Sequence, residues 1–188
     1  LEHMARLRSL NLSGNNLQEM PAIGVAGLPC LEALEVHKNR ISEVPEGYFR
    51  GLGALQRLVL ARNNLKALGG GIGACKQLQS LQLEENELAS LPAELGRCGK
   101  LRVLFLHSNQ LAALPAELGQ LGALERLNLQ ANPLGGESAA LVASTLSVLT
   151  GLAGYVMAGQ GDPDALAGDL VLIASNGCTP VAAVLVGR

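Results

Sequence analysis

The residues of this chain with the widest chemical repertoire are few, and their spacing decides what they can do. Histidine occurs at His3, His37 and His107, and cysteine at Cys30, Cys75, Cys98 and Cys178. A catalytic centre needs a nucleophile, a base and an orienting group in one place, and a zinc centre needs several ligands around one ion. The cysteines lack the paired spacing of a zinc site or a disulfide framework. Cys75 and Cys98 each stand three residues before a leucine that opens a recurring pattern, a slot filled elsewhere by Leu28, Leu52 and Leu121. They are expected to be small buried core residues with free thiols, which points to a reducing, cytoplasmic compartment. Asp162, Asp164 and Asp169 lack the spacing and the closing Glu of a calcium loop and read as aspartates at a polar turn.

The other candidates make sense only against the elements that must position them. The pattern L-x-x-L-x-L-x-x-N-x-L begins at Leu7, Leu31, Leu55, Leu78, Leu101 and Leu124, at intervals of 24, 24, 23, 23 and 23 residues. Such a period marks a solenoid of stacked modules. Positions 1, 4, 6 and 11 are apolar, and around positions 3 to 7 the alternation has the two-residue period of a strand with one buried face. Each strand is too short to stand alone, so stacking into a parallel sheet is the way to bury its leucines. Position 9 is Asn in every copy: Asn15, Asn39, Asn63, Asn86, Asn109 and Asn132. An amide offers both donor and acceptor to backbone groups left unpaired where the chain turns after each strand.

Odd strand positions face away from that core, onto the concave side. Position 7 reads Ser13, His37, Ala61, Glu84, His107 and Gln130 down the stack. His37 and His107 lie three turns apart, roughly 15 Å at sheet spacing, too far to share a metal. Glu84 and His107 are neighbours that could pair, which would shift the histidine's titration upward; an ordinary surface contact between them is the expectation. Position 5 reads Asn11, Glu35, Val59, Gln82, Phe105 and Asn128, and position 3 reads Ser9, Ala33, Arg57, Ser80, Val103 and Arg126. Most of this is ordinary polar surface, but Val59, Val103 and Phe105 are apolar. Phe105, flanked by Val103, Arg57, Arg126 and His107, has the composition of an interface centre: an apolar anchor in a charged rim. The expected protein-binding residues are Glu35, His37, Arg57, Val59, Gln82, Glu84, Val103, Phe105, His107, Arg126 and Asn128.

These eleven-residue signatures resemble the leucine-rich repeat family over residues 5–134. Pro92 and Pro115 are followed by AELGRCGKL and AELGQLGAL, which resemble the short helical or 3₁₀ convex segments of intracellular members with 23-residue units. The resemblance implies an α/β fold: a right-handed β-α superhelix with a parallel concave sheet. It also implies a non-catalytic module that binds a protein partner. The alternative it leaves open is the recognition part of a larger signalling enzyme, such as a kinase, GTPase or ubiquitin ligase. The third repeat departs from the pattern, with no Pro and with Gly69, Gly70 and Gly71 in succession. No Lys-Ser/Thr follows as in a P-loop, so this run reads as a flexible connection between repeats.

Charge and composition narrow the partners. Fourteen Lys and Arg face sixteen Asp and Glu, a balance that argues against nucleic acid. Aromatic residues make up only 2% of the chain, so the core must be built from Leu, Ala and Val. No cofactor is expected. The opening residues 1–4, LEHM, read as a cloning remnant. Residues 135–188 break the repeat and are expected to form a helical or α/β cap, or the start of a following domain. Ser138 to Gly161 carries no charge, yet its polar and apolar residues separate at helical spacing, which favours an amphipathic capping helix over a membrane span. Leu170 to Ser175 and Pro180 to Gly187 read as short strands around a turn at Asn176-Gly177.

Overall fold

The computed structural model describes residues 5–22 and 28–135, with the backbone of residues 170–173 and 184–185. Six three-residue strands follow the period: β1 (Ser9–Asn11), β2 (Ala33–Glu35), β3 (Arg57–Val59), β4 (Ser80–Gln82), β5 (Val103–Phe105) and β6 (Arg126–Asn128). Neighbours pair in parallel and in register, so that Leu10, Leu34, Leu58, Leu81, Leu104 and Leu127 line up across the sheet. Two further strands, β7 (Leu170–Ile173) and β8 (Val184–Leu185), extend the sheet antiparallel, β7 on β6 and β8 on β7. The pair of short strands expected near the C-terminus is therefore present. The proposed capping helix, the three tail aspartates, the Asn176-Gly177 turn, Cys178, and residues 1–4 lie outside the described residues.

The core is one continuous column. Positions 1, 4, 6 and 11 of the four middle repeats are fully buried, from Leu31, Leu34, Val36 and Ile41 to Leu101, Leu104, Leu106 and Leu111. Burying a leucine side chain contributes roughly 1.5–3 kcal/mol, and here each one packs between the same positions of adjacent turns. The first repeat has a neighbour on one side only, and its Leu7, Leu10, Leu12 and Leu17 are correspondingly only partly buried. Two aromatic side chains join the column at the second repeat. Tyr48 and Phe49 meet edge to face with centroids 5.5 Å apart, and the Tyr48 hydroxyl donates to the Pro21 carbonyl at 2.9 Å. Burial raises the Tyr48 phenol above its ordinary range.

The asparagines work as a ladder, turn on turn. Nδ2 of Asn86 donates to the carbonyl of Leu60 in the preceding repeat at 3.0 Å, and to Leu83 and Glu84 in its own at 2.9 and 3.3 Å. Its Oδ1 accepts from the backbone N–H of Leu65 at 3.0 Å. Asn39, Asn63, Asn109 and Asn132 make the same set. The residue before each asparagine holds a left-handed backbone: Gly14, Lys38, Arg62, Glu85, Ser108 and Ala131 all have positive φ. Only the first of these is glycine; the others adopt a conformation that costs an L-residue roughly 1–2 kcal/mol.

On the convex side, short 3₁₀ turns close the repeats at Tyr48–Gly51, Gly70–Ala74, Ala93–Arg97 and Ala116–Gln120. The glycine run of the third repeat is part of this set. It was expected to be a flexible connection, but it forms the same turn as its neighbours. Close stacking is seen just after the run, at Gly73. A Cβ on Gly73 would lie 2.8 Å from the Glu94 carbonyl oxygen, and one on Gly96 would run into the Glu117 backbone in the same way. Cys75 and Cys98 end two of these turns and are buried free thiols, as expected. They donate to the Leu52 and Ile72 carbonyls at 3.8 and 3.4 Å. Burial, with Cys98 nearby, pushes the Cys75 thiol up to about 12, and burial raises Cys98 as well.

Two predictions follow from these contacts. Asn86→Ala leaves buried backbone groups unpaired and should cost about 3 kcal/mol or more in urea unfolding. Asn15→Ala removes a single exposed bond to the Ser13 carbonyl at 3.2 Å and should cost less than about 1 kcal/mol. Gly96→Ala should cost about 2 kcal/mol by forcing two turns apart. Gly99→Ala, where a new Cβ would meet nothing within 4 Å, should be close to neutral; equal effects would show that turn stacking is not the constraint.

Candidate functional site

The in-register stack places the expected site residues on one surface. Glu35, Val59, Gln82, Phe105 and Asn128 form one row, and Arg57, Val103 and Arg126 belong to the row beside it. The backbone pairing continues past the strands. Leu83 N–H donates to the Phe105 carbonyl and Glu85 N–H to the His107 carbonyl, both at 2.9 Å, which sets Glu84 beside His107. The scaffold thus brings together residues from five turns that no local element could assemble.

Contacts within this surface divide it in two. At the N-terminal end the polar groups satisfy one another. Glu35 accepts from Asn11 at 3.1 Å and pairs with Arg57 at 3.4 Å. The Ser13 hydroxyl and His37 Nδ1 are 2.7 Å apart. A hydroxyl and an imidazole are two parts of a nucleophilic centre. No carboxylate is hydrogen-bonded to His37 among the described residues, so the orienting third group is missing from this contact. His37 and His107 are not brought together, and no group of three or more potential metal ligands occurs among the described residues.

The C-terminal half is different. Phe105 and Val103 are both partly exposed, and the Phe105 ring has polar and charged residues around it. Arg126 is exposed and makes no ion pair among the described residues. Glu84 and His107 are not joined by a hydrogen bond or ion pair. Instead Glu84 Oε2 and His107 Nδ1 are each buried without a hydrogen-bond partner. A buried polar atom left unpaired costs about 1–3 kcal/mol, so this part of the surface is electrostatically incomplete as it stands.

One expected site residue is placed differently. Val59 is only 4% exposed, and Ala61 beside it is 6% exposed. Both side chains are short and lie between longer ones, Val59 between Glu35 and Gln82 in register, so their neighbours overhang them. Val59 is therefore a floor to the face rather than an apolar anchor on it. The pairing of Ser13 with His37 was the contact the sequence reading passed over; the signal was their adjacency in the position-7 row. No helix among the described residues is long and apolar enough to cross a membrane.

Comparison with known proteins agrees with this geometry. The family model described as the leucine rich repeat matches residues 31–88 and 76–134, and a second model of the same description matches residues 6–28. A search of curated proteins gave no match. Among solved structures, the chain is similar to a leucine-rich repeat protein of Leptospira interrogans, with 31% identity and a TM-score of 0.67 over 79% of this chain and 43% of that one. It is also similar to the leucine-rich repeat domain of APL1B, with 25% identity and a TM-score of 0.63 over 71% of this chain and 40% of that one. The chain thus spans less than half the length of either structure. With six in-register turns, a continuous asparagine ladder and family models matched along most of the stack, the chain belongs to the leucine-rich repeat family.

Proposed function

We propose that this chain is a non-catalytic interaction module that binds a protein partner on its concave sheet, in the reducing environment of the cytoplasm. Leucine-rich repeat domains generally act as protein-interaction modules. The observation that carries the reading here is Phe105, a partly exposed aromatic beside partly exposed Val103, on a surface most of whose other exposed side chains are polar. Large aromatic side chains in such settings supply much of the energy of binding, while the polar rim excludes water. The rigid sheet presents them with little ordering cost. The free thiols of Cys75 and Cys98 support the choice of compartment.

The test compares wild type with Phe105→Ala, and with Arg97→Ala on the convex side as a control, in quantitative capture of partners. Phe105→Ala should reduce capture about tenfold or more while the melting temperature moves by no more than about 3 °C. Arg97→Ala should change neither. Unchanged capture by Phe105→Ala, or loss of capture only in step with unfolding, would overturn the reading.

A further inference from the structure

Three partly buried or exposed groups lie on one diagonal of the concave sheet. Glu84 stands at position 7 of the fourth repeat, Phe105 at position 5 of the fifth, and Arg126 at position 3 of the sixth. Each step moves one strand across and two residues back, a diagonal separation of about 7–8 Å. The order is therefore anion, aromatic, cation. Among the described residues neither charge is paired. Arg8, Arg57, Arg62 and Arg102 are paired with glutamates, but neither Arg126 nor Glu84 makes an ion pair among the described residues. Beside Glu84 the surface also holds two buried polar atoms without partners, Glu84 Oε2 and His107 Nδ1. The N-terminal half of the face offers no such array, because Glu35 is already occupied by Arg57 and Asn11.

Resting on the concave-face reading above, we propose that this diagonal receives an extended peptide segment carrying a basic, an apolar and an acidic residue at alternate positions. Side chains on one face of an extended chain repeat at about 7 Å, which matches the diagonal step. The basic residue pairs with the partly exposed Glu84 side chain. The apolar residue covers Phe105, and the acidic residue meets Arg126, whose guanidinium can hold a carboxylate by two parallel bonds. The array selects by charge order: a segment with two like charges leaves one end in repulsion. Side chains alone do not set the chain direction, so the order is satisfied by a segment running either way along the diagonal.

A display library of random twelve-residue linear peptides, selected on the full chain, tests this directly. Peptides enriched on wild type should carry opposite charges two residues either side of an apolar residue. Against those peptides Glu84→Gln and Arg126→Gln should each weaken binding about tenfold. Selection on Glu84→Gln should lose the basic preference and keep the acidic one; Arg126→Gln should do the reverse. Peptides that need Phe105, shown by loss of binding with Phe105→Ala, but that show no charge order would overturn this inference and leave the concave-face reading standing. Enriched peptides indifferent to Phe105→Ala would overturn both. A selection that enriches nothing would overturn the peptide proposal, and the partner-capture experiment would then decide the broader reading alone.

Discussion

The amide of one asparagine per turn is the interaction on which the rest of this structure depends. After each strand the chain reverses through a residue in the left-handed region and leaves carbonyls and an N–H pointing into the column. They are buried, and each one left unpaired would cost about 1–3 kcal/mol. The asparagine closes all of them at once and reaches into the turn before. That second reach sets the spacing and register of neighbouring turns. Every distance on the concave face, including the diagonal through Phe105, follows from it.

The ladder also explains which parts of the molecule were legible in the sequence. Positions 1, 4, 6, 9 and 11 repeat because each turn faces the same environment, so periodicity alone exposed the column and its asparagines. The left-handed residue before the asparagine left no such trace. It is Gly14, Lys38, Arg62, Glu85, Ser108 and Ala131 in turn, because backbone bonding holds the conformation and the side chain is free to vary. Val59 was misread for a related reason. Its exposure is decided by the lengths of Glu35 and Gln82 across the sheet, a property of three turns rather than of one. The run Gly69 to Gly71 suggested looseness, yet its repeat closes in the same 3₁₀ turn as its neighbours, and the backbone steric demand falls just after it, at Gly73. The tail breaks the repeat, and of the elements read there only the two short strands fall among the described residues.

The two ends of the sheet solve the edge problem differently. At the start, β1 has a partner on one side, and the four apolar side chains of its repeat remain partly exposed. At the other end, β6 meets β7 antiparallel, and β8 follows β7. A parallel stack cannot end itself, since every added turn presents the same open edge. A strand of opposite direction needs no convex crossover of its own, so it covers that edge without calling for another repeat.

Alternation along each strand gives the fold a division of labour. Even strand positions carry the column and are nearly invariant in type; odd strand positions reach the concave surface and vary along the stack. Substitution on the surface is therefore largely separable from stability, which is uncommon in folds where the site shares its side chains with the core. Val59 marks where the separation fails, since a short side chain between long ones becomes core whatever face it sits on. The separation holds best toward the C-terminal half, where Phe105 and Val103 are partly exposed and the charges on either side of Phe105 are unpaired among the described residues. The backbone groups inside the column are matched from turn to turn by the asparagines, so variation in charge and pairing is confined to the side chains that leave it.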